Sequence, residues 1–281
     1  FGRFLENAAK PLGVEANFGV IDARGGAAWF ETGQFTFRQL DVNDPSVAPG
    51  GYLVHTNFSF TGDPSRGAGH IRFNTAQHLF FQAHQQGNLT PRWILQEASR
   101  SLWHSLTGVD LETAGIASGA QRFVHFTDFI PRYSSTSSVV IQGILPGEEI
   151  ALTTMWTILG FPLTSVVMPL WLAAGEKQPS LVVAGEDGHA PLCVKSLLLK
   201  EKLFPVKMAY GSNYLDVIPL LNPDGSGILR KLKPLEDLVF DLSLKHQEAW
   251  RKNGKHRQEI PAFYEKINSI VTAEYLSLFG M

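Results

Sequence analysis

The stretch over residues 17–41 constrains the fold of this chain most, because short apolar segments alternate there with turn-forming residues. Residues 17–22 form the first segment, and the adjacent Gly25 and Gly26 tolerate the positive φ angles that a tight hairpin turn requires. Residues 27–32 return, and residues 35–40 run out again with alternating aromatic side chains. The pattern predicts a β-meander whose inner face contributes to the core.

The composition is that of an ordinary globular protein, and it argues against two kinds of partner. The 281 residues are 44% hydrophobic and 18% charged, with a formal net charge of −2. Nucleic-acid-binding domains are usually strongly basic, so this balance argues against a nucleic-acid partner. The run closest to a spanning helix, residues 155–174, is interrupted by Gly160, Pro162 and Pro169. We therefore predict no membrane span.

The remaining pattern predicts one domain over residues 1–281, in which helices lie on sheets. Asn74 is suited to cap the start of one helix, and Thr90 followed by Pro91 is suited to start the next. The last third is predicted to be helical over residues 234–250, with Leu235, Leu238 and Leu242 turned inward, and over about 259–279. Further strands are predicted over residues 51–60, 122–127, 137–143, 153–160 and 165–173.

Cys193 is the single cysteine of the chain and follows His189 by four positions. A thiol, an imidazole and a carboxylate can form a nucleophilic triad, but a cysteine that starts an apolar helical stretch is more often an inert packed residue. We therefore expect Cys193→Ser to leave any activity nearly unchanged. The nine histidines include no HExxH pair, and no Walker or Rossmann fingerprint is present, so we predict no metal and no cofactor.

Asn57 is a polar residue in the apolar segment 51–60, among aromatic neighbours. A buried carboxamide must find hydrogen-bond partners, and an Asn N–H is a good donor to a developing oxyanion. The residue by itself leaves two interpretations open. It is either an oxyanion donor or a strand-end asparagine bonded to backbone, and the second is the more frequent case.

Four segments carry a resemblance to a known family. They are GVEANFGVIDARGGAAWFE over residues 13–31, GYLVHTN over 51–57, PRYSSTSSVVIQG over 131–143 and TMWTILGFP over 154–162. These segments resemble the N-terminal-nucleophile (Ntn) hydrolases, in the branch of the acyl-CoA:6-aminopenicillanic acid acyltransferases and penicillin V acylases. The resemblance covers nearly the whole chain, and the motifs IDARGGAA and TN are its most specific parts.

The resemblance implies an α+β fold, a four-layer αββα sandwich of two antiparallel sheets between helical layers, here lacking its N-terminal part. It implies a hydrolase of non-peptide carbon–nitrogen bonds, an acylase or amidase that uses an N-terminal cysteine freed by autoproteolysis. By the same resemblance Asn57 matches the oxyanion asparagine, and Arg132 matches an arginine near the active site. The residues expected to contact the acyl amide substrate are His55, Trp29, Phe58, Phe60 and Trp156.

Two departures from the family pattern shape these expectations. His55 stands where the family commonly has an arginine, and Phe1 is no nucleophile. We expect the chain to be the C-terminal two-thirds of a longer protein, inactive alone, whose missing N-terminal segment or chain carries the nucleophile and any export signal. A periplasmic or extracellular location is typical of the family, and a homo-oligomer is left open. The alternative is a non-catalytic binding or structural module on the same scaffold.

Overall fold

The computed structural model describes five parts of the chain, residues 1–13, 16–57, 69–113, 122–254 and 256–281. The chain divides into two compact units. Unit 1 comprises Phe1–Asn88 together with Gly143–Glu148, and unit 2 comprises Leu89–Gln142 together with Glu149–Met281. The single Ntn-type domain expected over residues 1–281 stays a prediction.

Unit 1 is built on the predicted β-meander. Its elements are α1 (Gly2–Asn7), β1 (Ala16–Ile21), β2 (Ala27–Thr32), β3 (Phe37–Asp41) and α2 (His70–Gln85). The three strands are antiparallel in the order β1-β2-β3. At the first reversal the Asp22 carboxylate accepts hydrogen bonds from the backbone N–H groups of Arg24 and Gly26, at 2.8 and 2.9 Å. The meander and its first turn are therefore confirmed, but the third strand begins at Phe37, two residues after the predicted start, and Phe35 is 68% exposed because it lies in the turn before that strand.

The two faces of the meander differ in chemistry. On one face Phe30 packs edge-on against Phe1, with ring centroids 4.9 Å apart. On the opposite face the strand register places Glu31 of β2 directly across from Arg38 of β3. Trp29, two residues before Glu31, lies on this same face because side chains alternate along a strand. The charges of Glu31 and Arg38 thus lie on the same side of the sheet as Trp29, while the rings of Phe30 and Phe1 pack on the other side.

Two sequence predictions in unit 1 are wrong. Helix α2 begins at His70, so Asn74 lies inside the helix instead of capping it. The residue before the helix is Gly69, which has a left-handed backbone at φ 91° and no side-chain cap. Residues 51–57 form no strand, and residues 58–60 of the predicted strand lie outside the described residues. Alternating apolar side chains also suit an extended segment that packs its side chains without pairing its backbone.

Unit 2 combines helices with a second small sheet. Its helices are α3 (Pro91–Gln96), α4 (Pro191–Leu203), α5 (Val217–Leu221), α6 (Ile228–Asn253) and α7 (His256–Phe279). Its strands are β4 (Trp103–His104), β5 (Val109–Asp110), β6 (Phe123–His125), β7 (Ser137–Gln142), β8 (Thr154–Leu159), β9 (Val167–Trp171) and β10 (Tyr214–Asp216). Strands β7, β8 and β9 form an antiparallel sheet in that order, which confirms the three strands predicted there.

The core of unit 2 joins this sheet to helix α6. Trp156 of β8 packs on Phe240 of α6 with ring centroids 5.0 Å apart, and Trp171 of β9 meets Trp250 of α6 at 4.9 Å. All four side chains are fully buried. Burial of a large apolar side chain contributes about 1.5–3 kcal/mol, so these contacts hold the helix firmly on the sheet.

A buried ion pair lies in the same unit. The side chains of Arg100 and Glu236 are 4% and 0% exposed. The guanidinium donates to both carboxylate oxygens at 2.6 and 2.7 Å, and to the backbone carbonyls of Pro162 and Ser165 at 2.8 and 3.0 Å. The carboxylate also accepts a hydrogen bond from the Val167 N–H at 2.8 Å. Loss of either charged partner would leave an uncompensated buried charge.

The fold is therefore mixed helix and sheet, as the sequence predicts at that level. The described residues contain a three-stranded antiparallel sheet in each unit. The four-layer αββα sandwich that the resemblance implies stays a prediction.

Candidate functional site

A cavity of about 650 Å³ lies in unit 1, and part of its wall is the extended segment over residues 52–55, just before Asn57. This volume is within the range of about 300–1,000 Å³ that is common for small-molecule sites. Strand β3 and helix α2 supply other parts of the wall. Apolar and nitrogen-bearing side chains both contribute to it, among them Leu40, Leu53, Phe81, Arg38, His55 and His78.

His55 is held at the wall of the cavity by two neighbours on the charged face of the meander. Its ring stacks on Trp29, with centroids 4.6 Å apart and an interplanar angle of 19°. Its Nδ1 lies 3.5 Å from Oε1 of Glu31, and the two side chains are 5% and 0% exposed. Burial, the largest cause, lowers the pKa of His55; the Glu31 carboxylate opposes this shift, and the Arg38 guanidinium adds to it. The neutral imidazole is therefore favoured.

Asn57 is oriented by a buried arginine of helix α2. The side chain of Arg72, whose residue is 9% exposed, donates from Nη2 to Oδ1 of Asn57 at 2.7 Å. Because a guanidinium can only donate, this contact fixes the amide oxygen towards Arg72 and directs the amide nitrogen away from it. No described residue accepts a hydrogen bond from Nδ2 of Asn57, and the residue is exposed. Its N–H groups are thus oriented and accessible to a ligand.

The start of helix α2 is shaped around the same arginine. Gly69 has φ 91°, and a Cβ atom at this position would clash with Nη2 of Arg72 and lie 3.0 Å from its Cζ. The hydroxyl of Thr56 donates to the Gly69 carbonyl at 3.2 Å, which ties the segment before Asn57 to the helix start. Gly69 therefore provides both the backbone conformation and the space that the Arg72–Asn57 contact needs.

Three of the predicted site residues lie in unit 1. Trp29 and His55 are in contact, and Asn57 follows His55 by two positions. Phe58 and Phe60 lie outside the described residues. The structure thus brings Trp29 into contact with His55, two positions before Asn57. The roles assigned to these three residues and to Phe58 and Phe60 stay predictions.

The other two predicted site residues lie in unit 2. Trp156 is fully buried on Phe240, and its Nε1 donates to Gln142 Oε1 at 2.8 Å, which is a packing environment. Arg132 is half-buried in a turn, and its backbone N–H donates to the Ser135 hydroxyl at 3.1 Å. The substrate role of Trp156 and the catalytic role of Arg132 stay predictions.

Sequence reasoning missed Glu31, Arg38 and Arg72. The first two lie in the predicted strands 27–32 and 35–40, but that prediction carries no register, so their position across from each other is a finding of the structure. No sequence pattern indicates Arg72, because it is 15 residues from Asn57 and their contact depends on where helix α2 lies.

The structure gives no support to chemistry at Cys193. The residue is half-buried in α4 as a free thiol, and no hydrogen bond to His189 is found in the described part of the chain. The described ranges contain no group of three or more His, Cys, Asp or Glu side chains that could hold a metal ion. Among the described helices, none combines the length and the apolar character needed to cross a membrane.

Comparison of the chain with protein-family models, with curated proteins and with solved structures found no match.

Proposed function

We propose that the chain supplies the oxyanion-stabilising part of an Ntn-type acylase or amidase that hydrolyses small acyl amides. In this proposal Nδ2 of Asn57 donates to the oxygen of the tetrahedral intermediate. The nucleophile is a cysteine encoded N-terminal to the present chain: its sulfur bonds to the amide carbon, the C–N bond breaks and the amine leaves with the thiol proton, and water then hydrolyses the thioester to the free acid and the thiol. The observation that carries the proposal is the Asn57 amide, whose oxygen is bound by Arg72 and whose nitrogen is available.

A fixed amide is what such a step requires. A donor that is already oriented stabilises the developing negative charge without reorganising at the moment of reaction. The positive charge of Arg72 on the amide oxygen also polarises the Asn57 N–H groups, because charge-assisted hydrogen bonds are the stronger ones. Asn57 is exposed, so the proposal requires that the bound substrate covers it and excludes water from the donor.

The adjoining cavity is suited to the organic part of an amide substrate. Its wall includes the apolar Leu53 and Val54 from the segment that leads to Asn57. His55 lies at the same wall. Its ring contacts Trp29 and Glu31 of strand β2, so the meander fixes its position. The wall therefore reaches to within two residues of the proposed donor along the chain.

The test is kinetic and uses the full-length protein with acyl 4-nitroanilides of increasing chain length. Asn57→Ala should lower kcat by about 100-fold or more with little change in KM, because the lost interaction forms only in the transition state. Asn74→Ala is the matched control, since Asn74 is an exposed asparagine of the same unit. It should leave kcat within about twofold.

Two results would sink the proposal. One is a folded Asn57→Ala protein with an unchanged kcat. The other is a full-length protein whose processed N-terminal residue is not labelled by a thiol-reactive acyl probe.

A second candidate, a non-catalytic binding module, is favoured by one observation. The described lining of the unit 1 cavity contains no thiol, yet the cavity is large enough for a small molecule. Saturable ligand binding by a full-length protein that is not labelled by the probe would support this reading.

A further inference from the structure

We propose that the unit 1 cavity binds a small molecule with a carboxylate group and an apolar body, and that Arg38 anchors the carboxylate. The inference depends on the charges and the shape of the cavity, and it does not require the proposed hydrolysis. The proposal names a class of ligand for the cavity. It also adds Arg38, which is not among the substrate contacts that the family resemblance implies.

The charge of the cavity wall is one-sided. Among the described residues of the lining, the guanidinium of Arg38 is the one permanent charge, the imidazoles of His55 and His78 lie beside it, and no carboxylate is present. The guanidinium of Arg38 makes no ion pair or hydrogen bond with any residue that the structure describes. A guanidinium binds a carboxylate through two parallel N–H donors, which makes an acidic group the best complement to this wall.

Glu31, the acid directly across from Arg38 in the strand register, is turned to a different partner. Its carboxylate is fully buried and lies 3.5 Å from Nδ1 of His55, and it is not part of the cavity wall. Arg38 is instead exposed and lines the cavity. Glu31 therefore forms no ion pair with the guanidinium that a ligand meets.

The rest of the wall is suited to an apolar body. Leu40 and Leu53 are half-buried in the wall, and Phe81 of helix α2 is 57% exposed beside them. An aromatic ring that is exposed at a cavity gains from contact with an apolar ligand, because that contact removes its surface from water. The volume of about 650 Å³ accepts a ligand with a chain of several carbons next to its acidic group.

Isothermal titration calorimetry with octanoate and octanamide tests the proposal. The two probes share the apolar chain and differ in charge. We expect octanoate to bind more tightly than octanamide by about tenfold or more, because a hydrogen bond to a charged group is worth more than a neutral one. Arg38→Gln should weaken octanoate about tenfold and leave octanamide unchanged, and Arg38→Lys should lie between the wild type and Arg38→Gln.

Arg24→Gln is the matched control, because Arg24 is an exposed arginine of the β1–β2 turn and does not line the cavity. It should bind octanoate as the wild type does. Circular dichroism checks that each variant is folded. The proposal is overturned if octanoate does not bind, if it binds no better than octanamide, or if Arg38→Gln and Arg24→Gln have the same effect.

Discussion

Two buried arginines, Arg100 in unit 2 and Arg72 in unit 1, have opposite surroundings. Arg100 is enclosed by a carboxylate and two backbone carbonyls, and its partner Glu236 is fully buried. Arg72 reaches the carboxamide of an exposed residue, Asn57. The first arginine holds several segments of one core together. The second orients a polar group that a ligand can reach.

This difference between Arg100 and Arg72 shows how a structural role can be told from a functional one in this protein. A charge whose every partner belongs to the protein stabilises the fold, and its loss is measured in the free energy of unfolding. In the proposed reaction Arg72 is a positioning residue, because its contact orients the Asn57 donor, and its loss should appear as a lower kcat. The predictions differ accordingly in the quantity that each substitution changes.

The largest effect is expected for Arg100→Leu. This change leaves the Glu236 carboxylate buried without its counter-charge, and removal of one partner of a buried pair costs about 3–5 kcal/mol. Urea unfolding followed by circular dichroism measures the loss. The double variant Arg100→Leu/Glu236→Leu should recover part of it, because no charge is then stranded although the backbone groups that the pair satisfied lose their partners. A double variant as unstable as the single one would contradict the account.

If the proposed hydrolysis is correct, a substitution at Gly69 should act on it through Arg72. Gly69→Ala places a Cβ against the Arg72 guanidinium and should displace it from Asn57, so we expect kcat to fall about tenfold in the acyl 4-nitroanilide assay. The positive φ angle adds about 1–2 kcal/mol of strain.

Gly87→Ala is the matched control for Gly69→Ala. Gly87 follows helix α2 at φ +63°, and nothing lies within 4 Å of a Cβ there. It should show the loss of stability without the fall in kcat. An equal fall in kcat for both variants would show that the effect does not depend on the position of Arg72.

The smallest effect is expected in the response of stability to acid. Burial lowers the pKa of His55 in the folded state, so its contribution to stability is present above about pH 6.5 and is lost as the pH falls through the lowered pKa. Each proton taken up on unfolding changes the free energy of unfolding by about 1.4 kcal/mol per pH unit. Urea unfolding from pH 5 to pH 8 measures the slope, which His55→Asn should reduce.

His246 of unit 2 sets the background for this test. Its pKa is also lowered, chiefly by burial, so part of the acid slope should remain in the His55→Asn variant. A slope that is unchanged in His55→Asn but reduced in His246→Asn would place the acid-sensitive group in unit 2.

Much of the local structure was predictable, and the failures have physical causes. Thr90 caps helix α3 by accepting from the Trp93 N–H at 3.1 Å, as the Thr-Pro pattern predicts. Helix α6 begins at Ile228, six residues before the predicted start at Pro234. Burial of Ile228 and Leu232, which are 5% and 1% exposed, outweighs the cost of a proline inside the helix. Leu238, predicted to face inward, is 43% exposed.

The candidate site was predictable only in part. The resemblance selects Asn57, and the predicted meander contains both Glu31 and Arg38, but only the structure decides that they face each other across two strands. The contact of His55 with Trp29 and Glu31, and that of Arg72 with Asn57, join residues of separate segments. No periodicity encodes them, because they depend on the tertiary positions of the segment over residues 51–57 and of helix α2.

The sequence by itself determined the meander, the turn at Asp22 and the strands of the second sheet, because these depend on neighbours close along the chain. Only the tertiary structure decided which charges are enclosed and which face a cavity, as for Arg100 and Arg38. The physical reason is that desolvation and hydrogen-bond partners are properties of the packed environment, to which distant residues contribute as much as near ones.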